Sequence, residues 1–220
     1  MGTSPKTGKV PPLTASALEL TAEAFSRTGA LAEAEAASQD AFMMAAAMQA
    51  WEVAAKAASH LVFTVGLQQA RYAEGKVWAR LAEVMIRLAG DERGLVEATR
   101  LSNLGNIHNA TGAYTDAQAA FERALAIYDE VLGSAHPDQA KLLNNLANVR
   151  HNMGAYAEAK TLYERALAIS ETTLGPEHPD VALALHNLAN VHYATGDYAK
   201  ARALYEQTYA IQEKTLGPDN

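Results

Sequence analysis

The C-terminal half of the chain repeats itself with a period of 42 residues. An Asn-Leu-x-Asn motif starts at Asn103, Asn145 and Asn187, and five further positions keep the same offsets. These positions are Gly112, Gly154 and Gly196; Tyr114, Tyr156 and Tyr198; Ala117, Ala159 and Ala201; Phe121, Tyr163 and Tyr205; and Ile127, Ile169 and Ile211. A fixed period of this size is typical of repeat architectures, in which each unit buries its apolar face against its neighbours.

Each repeat has the pattern of two helices joined at a glycine. Leu143, Leu146 and Ala147 are spaced for one apolar face of a first helix. Gly154 is expected to end that helix, because glycine adopts the left-handed conformation that helix C-termini commonly need. A second stripe with helical spacing follows at 159–169. The repeat is therefore predicted to be a helical hairpin, and the fold to be all-α.

The linkers between repeats carry the triplet His-Pro-Asp, at 136–138 and at 178–180. Proline is tolerated in the first turn of a helix, and a carboxylate is favoured near the positive end of the helix dipole. The triplets therefore predict helix starts. We interpret His136 and His178 as turn residues.

The N-terminal half keeps the same rhythm more weakly. Thr28-Gly29-Ala30-Leu31 echoes Thr111-Gly112-Ala113-Tyr114, and Tyr72 lies 42 residues before Tyr114. We therefore expect about five hairpins stacked into a right-handed α-solenoid. The predicted organisation is a flexible leader at 1–12, two degenerate hairpins in 13–97 with a longer turn at 66–71, and three 42-residue repeats in 98–220.

Composition excludes several classes of function. The formal net charge is −7, whereas a nucleic-acid-binding protein needs a basic face. The absence of cysteine excludes disulfides, thiol catalysis and cysteine-ligated zinc. No apolar run approaches the ~18 residues of a membrane span, and no signal peptide is recognisable. We expect a soluble cytoplasmic protein with neither a membrane nor a nucleic acid as its partner.

The last repeat resembles a tetratricopeptide repeat. It reads Leu185-x2-Leu188-Ala189-x2-His192, then Gly196-Asp197-Tyr198, then Ala201-x3-Tyr205, with His192 where the repeat usually has tyrosine. The repeat length, the Asn-Leu-Ala-Asn motif and the Leu-Gly-x2-His-Pro-Asp linker resemble the kinesin light chain variety over 98–220. The resemblance implies a non-catalytic scaffold that holds a peptide segment of a partner protein in its concave groove, without a cofactor.

Over its whole length, including Val65–Tyr72, the chain also resembles the C-terminal repeat region of large bacterial serine/threonine kinases, especially myxobacterial ones. No kinase motif occurs: the sequence has no Gly-rich loop, no His-Arg-Asp and no Asp-Phe-Gly. This resemblance implies an alternative function as a regulatory or self-association segment of a larger signalling protein. Self-association would use uncapped solenoid ends.

The resemblance also places candidate ligand contacts, because tetratricopeptide ligands lie along the wall formed by the first helices. Asn106, Asn148 and Asn190 occupy that wall by position. The neighbouring candidates are Ser102, Asn144 and His186, one turn earlier, and Asn109, His151 and Tyr193, one step later. A carboxamide both donates and accepts hydrogen bonds, which suits a peptide backbone.

Charge adds a second expectation for this wall. The first helices, taken as 98–111, 140–153 and 182–195, contain no Asp or Glu. They do contain three cations, which are Arg100, Lys141 and Arg150. The groove is therefore expected to be neutral to mildly positive, and the ligand to place an acidic residue near Lys141 or Arg150.

A structural role for the asparagines is the alternative. An amide at a contact between repeats can bridge to the neighbouring hairpin, and we expect this of Asn103, Asn145 and Asn187, which lie nearer the packing seam. We expect ligand contact from the outer set, Asn106, Asn148 and Asn190.

Other functional residues are not indicated. The histidines lack the spacing of a metal site, so we expect no metal and no catalysis. An apolar cluster of Phe42, Met43, Met44, Met48 and Trp51 is interpreted as core, although methionines also form adaptable binding surfaces.

Overall fold

The computed structural model describes residues 12–92 and 94–216, and these ranges contain helices and turns without any strand. Ten α-helices follow one another: α1 Pro12–Thr28, α2 Leu31–Ala47, α3 Trp51–Leu61, α4 Tyr72–Ala89, α5 Leu95–Ala110, α6 Tyr114–Leu132, α7 Pro137–Asn152, α8 Tyr156–Leu174, α9 Pro179–Ala194 and α10 Tyr198–Leu216. Helices α1 and α2, α3 and α4, α7 and α8, and α9 and α10 pack against each other as consecutive pairs, which confirms the all-α hairpin fold. The predicted leader lies outside the described residues except for Pro12, the first residue of α1.

Short turns join the two helices of each pair. Gly112, Gly154 and Gly196 have φ values of 76°, 78° and 84°, in the left-handed region that favours glycine. The predicted role of these glycines is confirmed. Each turn is followed at once by the tyrosine that opens the second helix of its repeat.

Histidine caps the first helices α7 and α9. The backbone N–H of Asp138 donates to Nδ1 of His136 at 3.2 Å, and the N–H of Asp180 donates to Nδ1 of His178 at 3.1 Å. Proline follows each histidine at the first helical position. The histidines are therefore helix caps as well as turn residues, because each accepts a hydrogen bond from an N–H that has no partner within its helix.

The prediction of a longer turn at 66–71 is wrong. Helix α3 continues as a π-helical segment, Val62–Gln68, so the connection to α4 spans only 69–71. Gly66 is buried, and a Cβ built on Gly75 would lie 2.5 Å from the Gly66 Cα. The absence of a side chain at Gly66 thus allows α4 to pack closely against the π-helical segment. The left-handed turn position falls instead on Ala70, with φ 55°.

The chain divides into two compact units, 1–107 and 108–220. In the N-terminal unit, alanines surround Phe42, whose ring meets Trp78 edge-to-face at 5.4 Å. Met44 packs against the same cluster, as predicted, whereas Met43 is 66% exposed and does not belong to the core. The N-terminal core is therefore built mostly from alanine, with few large side chains.

The C-terminal unit is built around contacts between α7, α8 and α9. Ala147 of α7 and Ala159 and Tyr163 of α8 pack against Leu188 and Val191 of α9. Small side chains on α7 and α8 allow the helices to approach closely. This packing holds the two first helices side by side and positions the candidate site. None of the helices in the described ranges combines the length and the apolar character needed to cross a membrane.

Candidate functional site

A groove lies between the first helices α7 and α9, with α8 at its base. Its volume is about 270 Å³. Two of the predicted residues, Lys141 and Asn144, line it. The remaining lining residues are Ala140, Asn145, Ala166, Ser170, Asp180, Leu183 and Ala184. The groove therefore combines apolar wall with amide, ammonium and carboxylate groups.

Amide bridges connect neighbouring helices. Asn187 Nδ2 donates to Asn144 Oδ1 at 2.8 Å, which joins α9 to α7. Asn144 is buried. In the N-terminal unit, Asn103 Nδ2 donates to the carbonyl oxygen of Ser59 at 3.3 Å. These bonds support a structural role for Asn103 and Asn187, and they give Asn144 a structural role in addition to its place in the groove.

Asn148 and Asn190 are each held by a tyrosine of the following helix. The hydroxyl of Tyr163 donates to Asn148 Oδ1 at 2.6 Å, and that of Tyr205 donates to Asn190 Oδ1 at 2.5 Å. Burial raises the pKa of Tyr163, which keeps its hydroxyl protonated as a donor. Neither amide nitrogen has a hydrogen-bond partner in 12–92 or 94–216. Both asparagines thus present N–H donors away from the tyrosines.

The third member of the outer set lies in the other unit. Asn106 is a half-buried residue of the N-terminal unit, and so is Ser102. The residue 15 positions after Asn106, equivalent to Tyr163 and Tyr205, is Phe121, which has no hydroxyl. The tyrosine-to-asparagine pair is therefore a feature of the last two repeats alone.

The expectation that the first helices carry no acidic residue is wrong. Helix α5 begins at Leu95, so it includes Glu97, which is buried and receives two hydrogen bonds from Arg100, at 2.7 and 2.8 Å. Helices α7 and α9 likewise include Asp138 and Asp180 in their first turns. The helices start up to three residues earlier than their apolar pattern suggests, and the extra turn supplies the carboxylates.

The other two cations are also paired. Lys141 Nζ lies 3.3 Å from an Asp138 oxygen. Arg150 lies 3.3 Å from Glu158 on α8 and 3.7 Å from Glu122 on α6. Because each predicted cation has a carboxylate within salt-bridge distance, the wall offers no unmatched positive charge.

Asn109 and His151 contact their own unit. Asn109 Oδ1 accepts a hydrogen bond from Asn152 Nδ2 at 3.0 Å. The His151 ring packs edge-on against Tyr156 at 5.3 Å, and its buried Nε2 has no hydrogen-bond partner among the described residues. Asn109 thus lies at the contact between successive repeats, whereas His151 contacts the second helix of its own hairpin.

His186 and Tyr193 belong to a different surface. The His186 ring lies 5.4 Å from Tyr205, and the Tyr193 ring lies 5.3 Å from Tyr198. They adjoin a second groove of about 490 Å³, which we call the tyrosine groove. It is lined by Tyr193, Tyr198, Ala201, Arg202, Tyr205, Glu206 and Tyr209. The predicted residues therefore do not form one continuous site.

His192 is the buried histidine of α9. Burial lowers its pKa, and the charges of Lys200 and Lys160 act in the same direction against the opposing Asp197, whose carboxylate lies 3.4 Å from Nδ1. The imidazole is therefore favoured in its neutral form. Within the described part of the chain, no three His, Asp or Glu side chains cluster as metal ligands.

Sequence reasoning missed the partners of the outer asparagines. Tyr163 and Tyr205 are conspicuous in the sequence only as repeated positions. Each follows an outer asparagine by 15 residues, and this constant spacing could have indicated a hydrogen bond between the two helices of the hairpin. The sequence places Asp180 at a helix start but does not indicate that it lines the groove. Leu183, which is 50% exposed at the groove, was assigned no role.

The family follows from a comparison with known repeats. A model described as tetratricopeptide repeat matches residues 95–151 and 138–214, which together span more than half of the chain. The chain belongs to the tetratricopeptide repeat family. Tetratricopeptide repeats are generally protein–protein interaction modules, and the fold is typically non-catalytic.

Solved structures with this fold include kinesin light chain-like proteins. BtubC (BKLC) from P. vanneervenii superposes with a TM-score of 0.80 at 22% identity, over 95% of this chain and 84% of that one. A putative kinesin light chain with nearly identical TPR-like repeats from Podosopora anserina gives 0.72 at 22%, over 94% and 98%. PilF of Pseudomonas aeruginosa gives 0.66 at 19%, over 94% and 86%. No curated protein matches the sequence.

Proposed function

We propose that this tetratricopeptide repeat protein is a non-catalytic interaction module that binds an extended peptide segment of a partner along α7 and α9. The single observation that carries the proposal is the orientation of Asn148 and Asn190. Their amide oxygens are occupied by tyrosine hydroxyls, and their nitrogens have no partner in the described part of the chain. A peptide backbone offers the carbonyl acceptors that such donors need.

Asn148 lies one turn beyond Asn144, which lines the groove, and the groove has room for a side chain of the peptide. Leu183 contributes exposed apolar surface, and Lys141 and Asp180 contribute opposite charges. An acidic ligand residue would have to compete with Asp138 for Lys141 and with Glu158 for Arg150. Backbone hydrogen bonds and apolar contact, more than charge, therefore recognise the ligand in this proposal.

The origin of the peptide is a separate question. The resemblance of Val65–Tyr72 and its surroundings to the repeat regions of bacterial serine/threonine kinases favours a peptide from a signalling protein, including a kinase domain on the same polypeptide. Such a regulatory role would use the same α7 and α9 surface. It is tested by offering a kinase domain of that class as the ligand in the binding assay below.

The test removes the two donors without removing their tyrosine partners. Peptides that bind the chain are first selected from a displayed random library. The affinity of each is then measured by calorimetry for wild type and for Asn148→Asp/Asn190→Asp. A carboxylate keeps the acceptor for each tyrosine but has no N–H, so we expect about a tenfold loss of affinity for two hydrogen bonds.

The matched control is Gln207→Glu/Gln212→Glu, which adds the same two charges at exposed positions of α10. It should leave the affinity unchanged, and circular dichroism should show equal helicity for all variants. Selected peptides that bind the donor-free variant as tightly as wild type would refute the proposal.

A further inference from the structure

The tyrosine groove exposes large aromatic side chains on one side of α9 and α10. Tyr193, Tyr198 and Tyr209 are 61%, 63% and 64% exposed. Aromatic rings with a polar tip are characteristic of protein interfaces, where they supply contact area at a small entropic cost. A contiguous row of them on a helix is therefore a candidate docking surface.

The internal repeat shows what this surface is shaped to hold. One repeat earlier, the equivalents of Tyr198 and Tyr205 are Tyr156 and Tyr163, and this face of α8 packs against α9. Leu188 and Val191 of α9 are buried there, and Tyr163 is only 2% exposed. The tyrosine groove is thus continuous in pattern with an existing helix-to-helix interface. It is also more aromatic, because Tyr209 replaces Leu167 of the earlier repeat.

Charge indicates which helix fits. Arg202 and Glu206 lie one turn apart beside the groove, with their side chains 82% and 63% exposed. If a second α10 lies antiparallel across the groove, with a two-fold axis near residue 204, Arg202 of each copy faces Glu206 of the other. The same arrangement places Tyr198 close to Tyr209 of the second copy. The surface is therefore complementary to itself in both charge and apolar character.

We propose that two copies of this chain form an isologous dimer through the tyrosine groove, with their α10 helices antiparallel. The tyrosines supply the apolar contact, and the two Arg202–Glu206 pairs between copies fix the direction. In the single chain these residues pair within their own helix at 2.8 Å, so dimerisation exchanges partners without leaving a charge unmatched.

A charge exchange tests this arrangement. Sedimentation equilibrium on the full 220-residue chain should show a reversible dimer. Arg202→Glu alone, or Glu206→Arg alone, places like charges opposite one another and should weaken the dimer by about tenfold or more. The exchange Arg202→Glu/Glu206→Arg restores opposite charges and should return the dissociation constant to within about threefold of wild type.

Arg27→Glu is the matched control, since Arg27 also forms an exposed i,i+4 pair, with Glu23, but lies in the N-terminal unit. It should leave the dissociation constant unchanged. A wild-type chain that stays monomeric, or a dimer that the single changes do not weaken, would overturn the proposal. So would an exchange variant that fails to recover. Peptide binding is measured with different variants, so this proposal and the proposed function can fail separately.

Discussion

At the residue scale, a single hydroxyl decides how Asn148 presents its amide. Tyr163→Phe removes the donor at 2.6 Å and should lower the free energy of unfolding by about 1 kcal/mol, because Asn148 is only partly buried and water can replace the lost partner. Urea unfolding checks the value. Phenylalanine is tolerated at this repeat position in Phe121, so packing should be preserved. A variant as stable as wild type would show that the hydroxyl contributes nothing.

The buried His192 should make stability depend on pH. Its folded pKa lies below its ordinary value of 6.5, so the unfolded chain binds the proton more readily. The stability that neutral His192 contributes to the folded state is complete above the pKa of the unfolded chain. It is lost as the pH falls from there through the folded pKa. His192→Gln should therefore reduce the fall in melting temperature between about pH 7.5 and about pH 5.5. An equal fall in wild type and variant would contradict this assignment.

Residue positions in the candidate site were predictable, but their partners were not. Asn144 and Lys141 could be placed on a first helix from the period alone, and they do line the groove. The bond from Tyr163 to Asn148 depends on how closely α8 approaches α7, which periodicity does not give. The pairing of Arg150 depends on carboxylates from α6 and α8, so its charge could not be judged from its own helix.

At the element scale, the turn before α4 departs from its equivalents. Ala70 stands at the repeat position of Gly112 and has φ 55°, a conformation that costs a residue with a Cβ roughly 1–2 kcal/mol. Ala70→Gly should therefore raise the free energy of unfolding, by up to about 1 kcal/mol after the entropy of glycine is counted.

Gly112→Ala is the opposite change at the equivalent turn. It introduces a Cβ at φ 76° where no atom lies within 4 Å, so any loss reports backbone strain alone. Thermal unfolding of the two variants should give shifts of opposite sign. A loss of stability in Ala70→Gly would mean that the Ala70 side chain contributes more than its strained backbone costs.

The helices themselves were largely predictable, because each hairpin repeats the same apolar spacing and ends at glycine. The starts of α7 and α9 were predictable from the His-Pro-Asp triplets, whereas the first turn of α5 was not, since Glu97 precedes its apolar pattern. The π-helical segment was also missed. Gly66 resembles a turn residue in sequence, and only its contact with Gly75 explains why a helix continues through it.

At the scale of the whole molecule, damage to one unit should stay within it. Gly75→Ala places a Cβ 2.5 Å from the Gly66 Cα, a backbone atom that cannot move aside independently, and should cost about 1–3 kcal/mol. Repeat proteins are held by neighbour contacts, so the loss should be greatest close to the substitution. Hydrogen exchange should show reduced protection within 12–107, with the C-terminal unit changed less. A uniform loss across both units would instead indicate one cooperative structure.

Trp78, whose ring packs against Phe42, has a practical use in such measurements. The chain contains two tryptophans, Trp51 and Trp78, and both belong to the N-terminal unit, whereas the C-terminal unit is rich in tyrosine. Emission excited selectively at tryptophan therefore reports on residues 1–107 alone. The N-terminal unit therefore carries its own spectroscopic label. Its emission can be followed, without any attached dye, while a ligand or a second copy binds the C-terminal unit.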